Sequence, residues 1–408
     1  MPRLAPMLLP LLAVAALGCR DDAVSPTGTE PAAAPALAVT AAQPLSFRQV
    51  SVASYPGTGG HACGVTTDDR AYCWGADDWG ELGDGESTRE DCGNPCMTRP
   101  VAVLGSLHFR HVSAGVRFTC GITTDYKAYC WGRNVEGQLG DGTQVLRRVP
   151  VAVAGGHLFR QVRAGDNHAC AITTAGAAFC WGWNHEGELG DGTTTQHLTP
   201  APVAGGLHWS QLSGGFQHTC GVTTSDRAYC WGANSAGTLG DGTTTRRLRP
   251  TALAGGLAFR QIDAGFNHTC GVATSNRAYC WGRSNGGALG DSTTADHLTP
   301  TLVFGRRYYD HVSAGFAHTC GVTLTGQRGF CWGANGAGQL GTGTTAPRLI
   351  PAPLGVDLLL TQVSATYGFN CGVTTGFGIY CWGDNGYGQL GDGTTAIRLL
   401  PVPVAPPM

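Results

Sequence analysis

Paired cysteines are the residues of this chain whose types and spacing point most directly to chemistry. Seven pairs are ten or eleven positions apart and one pair is four apart: Cys63 with Cys73, Cys92 with Cys96, Cys120 with Cys130, Cys170 with Cys180, Cys220 with Cys230, Cys270 with Cys280, Cys320 with Cys331, and Cys371 with Cys381. Such pairs either form disulfides or bind metal. A zinc site needs a close second pair or nearby histidines, and this spacing offers neither. We therefore predict disulfides, with no metal and no cofactor.

The hairpin geometry supports this prediction. Two extended segments flank each short polar turn, and residues paired across an antiparallel hairpin have a constant index sum. Cys220 and Cys230 therefore face each other about Ser225, within reach of a disulfide. The pair Cys320 and Cys331 has one extra turn residue. By the loop-entropy model, each bond would contribute roughly 3 kcal/mol to stability.

Two recurrent polar positions have structural explanations. Histidine stands two places before the first cysteine in five units and phenylalanine in the other two: His61, Phe118, His168, His218, His268, His318 and Phe369. Histidines arranged in a circle around a closed array could hold a metal or move protons. Their replacement by phenylalanine in two units instead indicates a semi-buried packing position. The Leu-Gly-Asp-Gly run has one carboxylate per turn, whereas calcium loops need several. We interpret this run as a turn.

A basic residue recurs three positions before the proline of six units, and Met97 replaces it in the first. The series is Arg147, His197, Arg247, His297, Arg348 and Arg398. These side chains either hydrogen-bond neighbouring turns or form a positive rim for an acidic partner. They are candidate partner-binding residues on the second interpretation.

The first unit departs from the repeat in two places. It has five extra residues between Val50 and Cys63, and seven more after Gly85. Alternate loops of an up-and-down sheet emerge on one face, so both insertions should extend the same face. Loops on a rigid scaffold often carry binding sites, and the candidates here are Tyr55, Trp79, Arg89, Glu90 and Asp91. Loop growth without a function is the alternative.

No catalytic grouping stands out in the sequence. It contains no nucleophile elbow, no HExxH motif and no phosphate loop. A catalytic group should break the repeat rather than recur with it. We predict that the protein is not an enzyme.

The elements that position these residues are themselves repeated. Trp-Gly pairs mark seven units, at intervals of 50 or 51 residues apart from a first interval of 57: Trp74, Trp131, Trp181, Trp231, Trp281, Trp332 and Trp382. Each unit has four short apolar segments between Gly- and Asp/Asn-rich turns, which is typical of strands. Four strands cannot bury both faces alone, so neighbouring units must stack. We predict an all-β, seven-bladed β-propeller, with an open solenoid as the alternative.

The N-terminal residues have the pattern of an export signal. Arg3 precedes an apolar run, Met7 to Leu17, that is too short to span a bilayer. Ala16-Leu17-Gly18-Cys19 resembles the lipobox of bacterial lipoproteins, in which the chain is cut before the cysteine and the cysteine is lipid-modified. Cys19 is also the cysteine left over when the other sixteen pair. An ordinary secretory signal is the alternative.

We therefore expect three segments: a signal peptide at 1–18, a lipidated Cys19 with a disordered Ala/Pro/Thr-rich tether at 19–44, and the propeller at 45–408. A formal charge of −2 with 13% charged residues leaves no basic surface for nucleic acid. Disulfides persist in oxidising compartments. We expect a monomer in the bacterial cell envelope, periplasmic or at the surface, that contacts membrane only through its N-terminal lipid.

The segment "CWGANSAGTLGDGTTTRRLRP" from Cys230 to Pro250 and its counterparts resemble the repeat of the regulator of chromosome condensation family. The pattern recurs, with variations, seven times between residues 46 and 404. The resemblance implies a seven-bladed propeller, and the cysteines resemble those of the secreted bacterial branch. Family members include a nuclear guanine-nucleotide exchange factor, a plant ultraviolet photoreceptor and a secreted β-lactamase inhibitor. An exported chain cannot reach a cytosolic GTPase, and Trp183 beside Trp181 does not reproduce the photoreceptor's tryptophan cluster.

These features predict a non-enzymatic, lipid-anchored propeller that presents a loop face to an unidentified protein partner. An inhibitor of an extracellular enzyme is one specific form of this function. The alternative is a carbohydrate- or cell-wall-binding propeller, which exposed and aligned Trp79, Trp183 and Tyr387 would favour.

Overall fold

A computed structural model of the chain describes residues 45–57, 59–86, 91–93 and 95–407. The predicted signal peptide, Cys19 and the tether lie outside these residues, as do Arg89 and Glu90. The described residues form seven antiparallel four-stranded sheets, which confirms the predicted all-β, seven-bladed propeller. One 3-10 helix, Asn285–Gly287, interrupts a loop. Within this described part, no helix has the length and apolar character needed to cross a bilayer.

Each blade is one repeat, and its strands pair in chain order. Blade 1 contains β1 (Phe47–Ser54), β2 (Gly60–Thr66), β3 (Ala71–Ala76) and β4 (Cys96–Ala102); blade 2 contains β5 (Phe109–Gly115), β6 (Phe118–Thr123), β7 (Ala128–Gly132) and β8 (Arg147–Ala152); blade 3 contains β9 (Phe159–Ala164), β10 (His168–Thr173), β11 (Ala178–Gly182) and β12 (His197–Pro202); blade 4 contains β13 (Trp209–Gly214), β14 (His218–Thr223), β15 (Ala228–Gly232) and β16 (Arg247–Ala252). Blade 5 contains β17 (Phe259–Ala264), β18 (His268–Ala273), β19 (Ala278–Gly282) and β20 (His297–Leu302); blade 6 contains β21 (Tyr309–Ala314), β22 (His318–Thr323), β23 (Gly329–Gly333) and β24 (Arg348–Pro353); blade 7 contains β25 (Leu360–Ala365), β26 (Phe369–Thr374), β27 (Ile379–Gly383) and β28 (Arg398–Pro403).

The first strand of every blade lines a central channel, and the fourth strand lies on the outside. Because the strands alternate in direction, the loops after the first and third strands emerge at one end, which we call the loop face. The turn between the second and third strands lies at the other end, the hairpin face. The apolar core lies between blades, where each second and third strand packs on the first strand of the next blade.

The hairpin cysteines pair in register, as predicted. Cys220 is the direct cross-strand partner of Cys230, and their sulfur atoms are bonded. The other six hairpins have the same pairing: Cys63 with Cys73, Cys120 with Cys130, Cys170 with Cys180, Cys270 with Cys280, Cys320 with Cys331, and Cys371 with Cys381. The paired Cα atoms of all seven are 4.0–4.1 Å apart, which confirms the disulfides predicted from the hairpin geometry.

The two irregular cysteine pairs are accommodated locally. In blade 6, where the hairpin turn is one residue longer, two consecutive residues take a positive φ, Gly326 at 78° and Gln327 at 49°, whereas each of the other hairpin turns has one. The closely spaced Cys92 and Cys96 of the second insertion also pair, with Cα atoms 6.1 Å apart. All eight predicted disulfides are therefore present in the described residues.

Each blade is joined to the one before it by its Cys-Trp-Gly tryptophan. Trp281, for example, is fully buried, and its indole N–H donates to the carbonyl of Thr238 at 2.9 Å. Its ring lies against Gly240, where a Cβ atom would come within 2.6 Å of the indole nitrogen. Gly240 also has a φ of +66°, which glycine adopts without steric cost. The Leu-Gly-Asp-Gly glycine is therefore required by the tryptophan of the next blade.

A second joint uses the recurrent histidines. The Nε2 atom of His218 hydrogen-bonds the hydroxyl of Thr269 in the next blade at 2.9 Å, and both residues are buried. The same His–Thr contact follows His61, His168 and His268, while His318 meets Asn370. Where phenylalanine replaces histidine, the next blade has alanine instead: Phe118 packs with Ala169, and Phe369 with Ala62. These positions are packing positions, and they vary as pairs.

Glutamine side chains form a third joint around the channel. Gln49 donates to the carbonyl of Val112 at 2.7 Å and accepts from its N–H at 3.0 Å. Gln362 makes the same two contacts with Val50, so blade 7 is joined to blade 1 as any blade is joined to the next. Trp74 likewise donates to the carbonyl of Gln389 at 3.0 Å. The ring closes without exchange of a strand between blades.

The loop after each third strand is braced by a side chain in the Leu-Gly run. The carboxylate of Glu81 accepts from the N–H of Trp79 at 2.7 Å, as Gln138 accepts from the N–H of Glu136 at 2.9 Å. Glu81 is only 1% exposed, and its burial raises its pKa to about 8. The folded state therefore favours the protonated carboxyl group, which glutamine mimics in other blades.

We predict that the His–Thr joint is energetically coupled. His218→Phe and Thr269→Ala should each lower the free energy of unfolding by about 1–3 kcal/mol, because each leaves a buried partner without its hydrogen bond. The double variant recreates the pair formed by Phe118 and Ala169 and should lose less than the sum of the two. Guanidinium unfolding of the four proteins measures the coupling. Strictly additive losses would contradict the proposed pairing.

Glu81→Gln should stabilise the protein selectively at alkaline pH. A buried carboxyl group whose pKa is raised stabilises the fold below its unfolded value and loses that contribution as pH rises through about 8. The variant should melt close to wild type near pH 5 and several degrees higher at pH 9. Glu186→Gln, at a half-buried site beside Arg246, is the control. A gain that is the same at both pH values would refute the account.

Candidate binding cleft on the loop face

The channel mouth on the loop face is covered by aromatic side chains. Tyr55 follows the first strand of blade 1, and its ring stacks on Phe216 at 5.7 Å and lies 6.0 Å from Phe266. Phe216 and Phe266 stack at 3.9 Å, and Phe316 continues the row at 4.3 Å. The first insertion thus reaches across the ring to blades 4 and 5. Tyr55, a predicted partner-binding residue, is half-buried in this cap.

A cleft of about 320 Å³ lies beside the aromatic cap, on blades 2 to 4. Its polar and aromatic lining includes Tyr55, Arg117, Arg133, Glu136, Asp166 and Trp183. The position of Arg117 is occupied by asparagine or glutamine in blades 3 to 5. That of Arg133 is alanine in blades 1, 4 and 6 and arginine again in blade 5, at Arg283. The cleft therefore forms where the repeat is broken.

Trp79 is held between the two arginines of the cleft. The guanidinium carbons of Arg117 and Arg133 lie 5.6 and 5.8 Å from its ring centroid, within the range of cation–π attraction. Arg133 also donates to the Asn167 side chain at 2.5 Å and lies 3.6 Å from a carboxylate oxygen of Glu136. One predicted residue thus brings together two arginines that sequence reasoning missed.

Arg117 has an unusual backbone conformation. Its φ is +64°, in the left-handed region that residues with a side chain seldom adopt. Elsewhere in the described residues, left-handed non-glycine residues occupy hairpin turns or, at Ser292, the place of a Leu-Gly-Asp-Gly glycine. Its Nε atom is buried and has no hydrogen-bond partner within the described part. Strain of this kind is concentrated at functional sites.

A buried carboxyl group gives the cleft a charge that depends on pH. Burial raises the pKa of Asp166, which lines the cleft, to about 7, although the nearby Arg133 and Arg117 act to lower it. This carboxyl group therefore changes charge near neutral pH.

The loop-face aromatics are only partly available to a ligand. Trp183 is half-buried, and one face stacks on the His185 ring with centroids 4.1 Å apart. Tyr387 is half-buried against Gly59 of the first insertion. Trp79 is covered by Arg117 and Arg133. Each of the three side chains considered for sugar binding is thus already in contact with a neighbour.

The second insertion folds back on β4. The carboxylate of Asp91 accepts from the backbone N–H of Thr98 at 3.0 Å and from its hydroxyl group. Asp91 therefore anchors this loop within the described residues. Arg89 and Glu90, predicted beside it, lie outside them.

The recurrent basic residues are paired with the aspartates of the Leu-Gly-Asp-Gly turns. Arg247 donates to Asp241 at 2.8 Å and His297 lies 2.7 Å from Asp291. Arg147, His197 and Arg398 make the same contact with Asp141, Asp191 and Asp392. In blade 6 the aspartate is replaced by Thr342, and exposed Arg348 has no carboxylate partner among the described residues. The series begins the outer fourth strands, so the structure does not bring it together with Tyr55.

Sequence reasoning missed Arg117, Arg133 and Asp166. Arg117 and Asp166 are the single charged residues at their positions among the seven units, and that difference was the available signal; the position of Arg133 is also arginine in blade 5, at Arg283. In the described residues, no three His, Cys, Asp or Glu side chains are grouped so as to hold a metal ion.

The chain matches known families along most of its length. A family model of the RCC1-like domain matches residues 13–321, and a model of the regulator of chromosome condensation (RCC1) repeat matches residues 378–408. The human E3 ubiquitin-protein ligase HERC2 is 30% identical over 104 residues, 26% of this chain. The chain spans only 2% of the length of that relative.

Two solved structures share the fold. Human WBSCR16 has a TM-score of 0.74 at 19% identity, covering 83% of this chain and 94% of its own. Prp20p of Saccharomyces cerevisiae has a TM-score of 0.73 at 20% identity, covering 83% of this chain and 87% of its own. The family match extends over more than half of the chain, and the seven four-stranded blades agree with it. This chain belongs to the RCC1-like domain family.

Proposed function

We propose that this chain is a non-enzymatic, lipid-anchored propeller of the bacterial cell envelope that binds a protein through the cleft of its loop face. One observation carries the proposal: the cleft lies where the repeat is broken by Arg117, Asp166 and Trp183, with Arg133 beside them. Inhibition of an extracellular enzyme is a specific form of this function.

The chemistry of the cleft suits a protein partner. Tryptophan, tyrosine and arginine are the side chains most often found at the energetic centres of protein interfaces. The cleft combines Trp183, Tyr55 and two arginines, of which Arg117 has an Nε atom without a hydrogen-bond partner in the described part of the chain. An acidic or aromatic side chain of a partner would fit beside them. Prp20p, which shares the fold, is described by its binding to Gsp1p and histones.

Two features support export and anchoring. The cysteines pair throughout the hairpins, as is usual in oxidising compartments. Cys19 is the cysteine that this pairing leaves over, and it stands at the lipobox position. Guanine-nucleotide exchange on a cytosolic GTPase is incompatible with this location.

Carbohydrate or cell-wall binding is the second candidate. Trp183 favours it, because this ring lines the cleft and aromatic faces stack on sugar rings. Arg117 and Arg133 lie over the Trp79 ring, and this weighs against a row of exposed aromatic rings on which a sugar chain could stack.

Photo-crosslinking in intact cells tests the proposal. A photoreactive phenylalanine at exposed His185, beside the cleft, should give one adduct with a distinct protein. The same residue at exposed Ala175, on the hairpin face of the same blade, should not. Arg133→Ala should reduce the His185 adduct at least tenfold, because it removes one arginine of the cleft.

The controls separate the alternatives. Arg227→Ala, at an exposed site on the hairpin face of blade 4, should leave the adduct unchanged. Cys19→Ser should release the chain from the membrane fraction if Cys19 carries the anchor. An adduct lost on muramidase digestion and lacking partner peptides would favour the glycan candidate. Equal adducts at positions 185 and 175 would refute the cleft as the binding site.

A further inference from the structure

The central channel has a polar wall with two recurrent positions per blade. One is occupied by the glutamines that join the blades, with His111 and His311 replacing glutamine in blades 2 and 6. The other, two residues later, is serine in five blades. Most of these side chains line a cavity of about 300 Å³, near the lower limit of roughly 300–1,000 Å³ for ligand pockets.

The channel serines have a clear structural role. The hydroxyl group of each accepts a hydrogen bond from a backbone N–H of the next blade's first strand. Ser113 accepts from Ala164 at 3.0 Å and Ser213 from Ala264 at 3.0 Å. Ser51, Ser313 and Ser364 make the same contact at 3.0–3.2 Å.

The remaining two blades have charged residues of opposite sign at this position, Arg163 in blade 3 and Asp263 in blade 5. Asp263 keeps the joint, since its carboxylate accepts from the N–H of Ala314 at 2.9 Å and from the hydroxyl of Ser213 at 3.0 Å. Arg163 cannot accept a hydrogen bond. The equivalent N–H, that of Gly214, therefore lacks the side-chain acceptor that its counterparts have.

Arg163 is available to a ligand. His111 is the one hydrogen-bond partner of its guanidinium group among the described residues, with 2.5 Å between Nη1 and Nε2. A guanidinium group has five N–H donors, so most remain free. Arg163, Gly214 and Asp263 line the same cavity.

Burying opposite charges two blades apart is costly unless a partner satisfies them. Serine would avoid that cost, as it does in five blades. Burial raises the pKa of the Asp263 carboxyl group, and the positive charge of Arg163 acts in the opposite direction. The two charges face a common polar space without a direct ion pair between them in the described residues.

We propose that the channel binds the zwitterion of a small α-amino acid. Its carboxylate accepts from the Arg163 guanidinium and the Gly214 N–H, and its ammonium group donates to the Asp263 carboxylate. The rest of the wall is formed by small side chains such as Val50, Ala114 and Ala264, so the amino acid's own side chain must be small. This site is separate from the loop-face cleft, because the Tyr55 cap lies at the loop-face mouth, and it does not rest on the proposed function.

Calorimetric titration of the full mature chain with glycine, L-alanine and L-serine tests the proposal. At least one should bind with a dissociation constant below about 1 mM, an order-of-magnitude expectation, and raise the melting temperature. Arg163→Ser and Asp263→Ser should each weaken binding at least tenfold. Both install the residue that five other blades have at this position, so both should fold.

Acetate and methylammonium, each with one charge, should bind at least tenfold more weakly than the zwitterion. Asp357→Ser, at an exposed ion pair with Arg328, is the control and should bind as wild type. The absence of binding by all three amino acids at about 10 mM, roughly tenfold above the expected constant, would overturn the proposal. Binding that survives both serine variants, or acetate binding of equal strength, would overturn it as well.

Discussion

The structure depends on the contact between each blade's buried tryptophan and the preceding blade's Leu-Gly turn. The indole N–H donates to a backbone carbonyl at 2.8–3.0 Å in all seven blades, and the ring covers a glycine that cannot accept a Cβ atom. Replacing a buried tryptophan by alanine typically costs about 3–5 kcal/mol. The turn of each blade is therefore fixed by the tryptophan of the next blade. Because Trp74 of blade 1 makes this contact with blade 7, the seven blades form a closed ring.

This frame leaves few positions free to carry function. Histidine, glutamine, serine and the turn aspartates are all used to join or brace the blades, for example where His218 meets Thr269 and Arg247 meets Asp241. Chemistry that distinguishes this protein must lie where a unit departs from the others. Two groups of such departures line cavities, the cleft with Arg117 and Asp166 and the channel with Arg163 and Asp263.

The fold could be predicted from the sequence because the Trp-Gly pairs and the hairpin cysteines recur in all seven units at nearly constant spacing. The position of Tyr55 could not, because its contact with Phe216 joins blades that lie opposite each other in the ring. The sequence allowed two interpretations of the basic series, hydrogen bonds to nearby turns or a positive rim for a partner. Only the structure identifies the partners as the aspartates six residues earlier in the chain. The replacement of a histidine–threonine pair by Phe118 and Ala169 was present in the sequence. It is seen only when the histidine position of one unit is compared with the threonine position of the next unit.

Unfolding of a closing-joint variant tests the central claim, that blade 7 meets blade 1 as any two neighbours meet. Trp74→Phe removes the indole bond to Gln389, and Trp281→Phe removes the equivalent bond to Thr238 inside the ring. The account predicts one cooperative thermal transition for each variant, with losses of free energy that agree within about 1 kcal/mol. A separate low-temperature transition in Trp74→Phe alone would show that the ring is an open array whose ends merely touch.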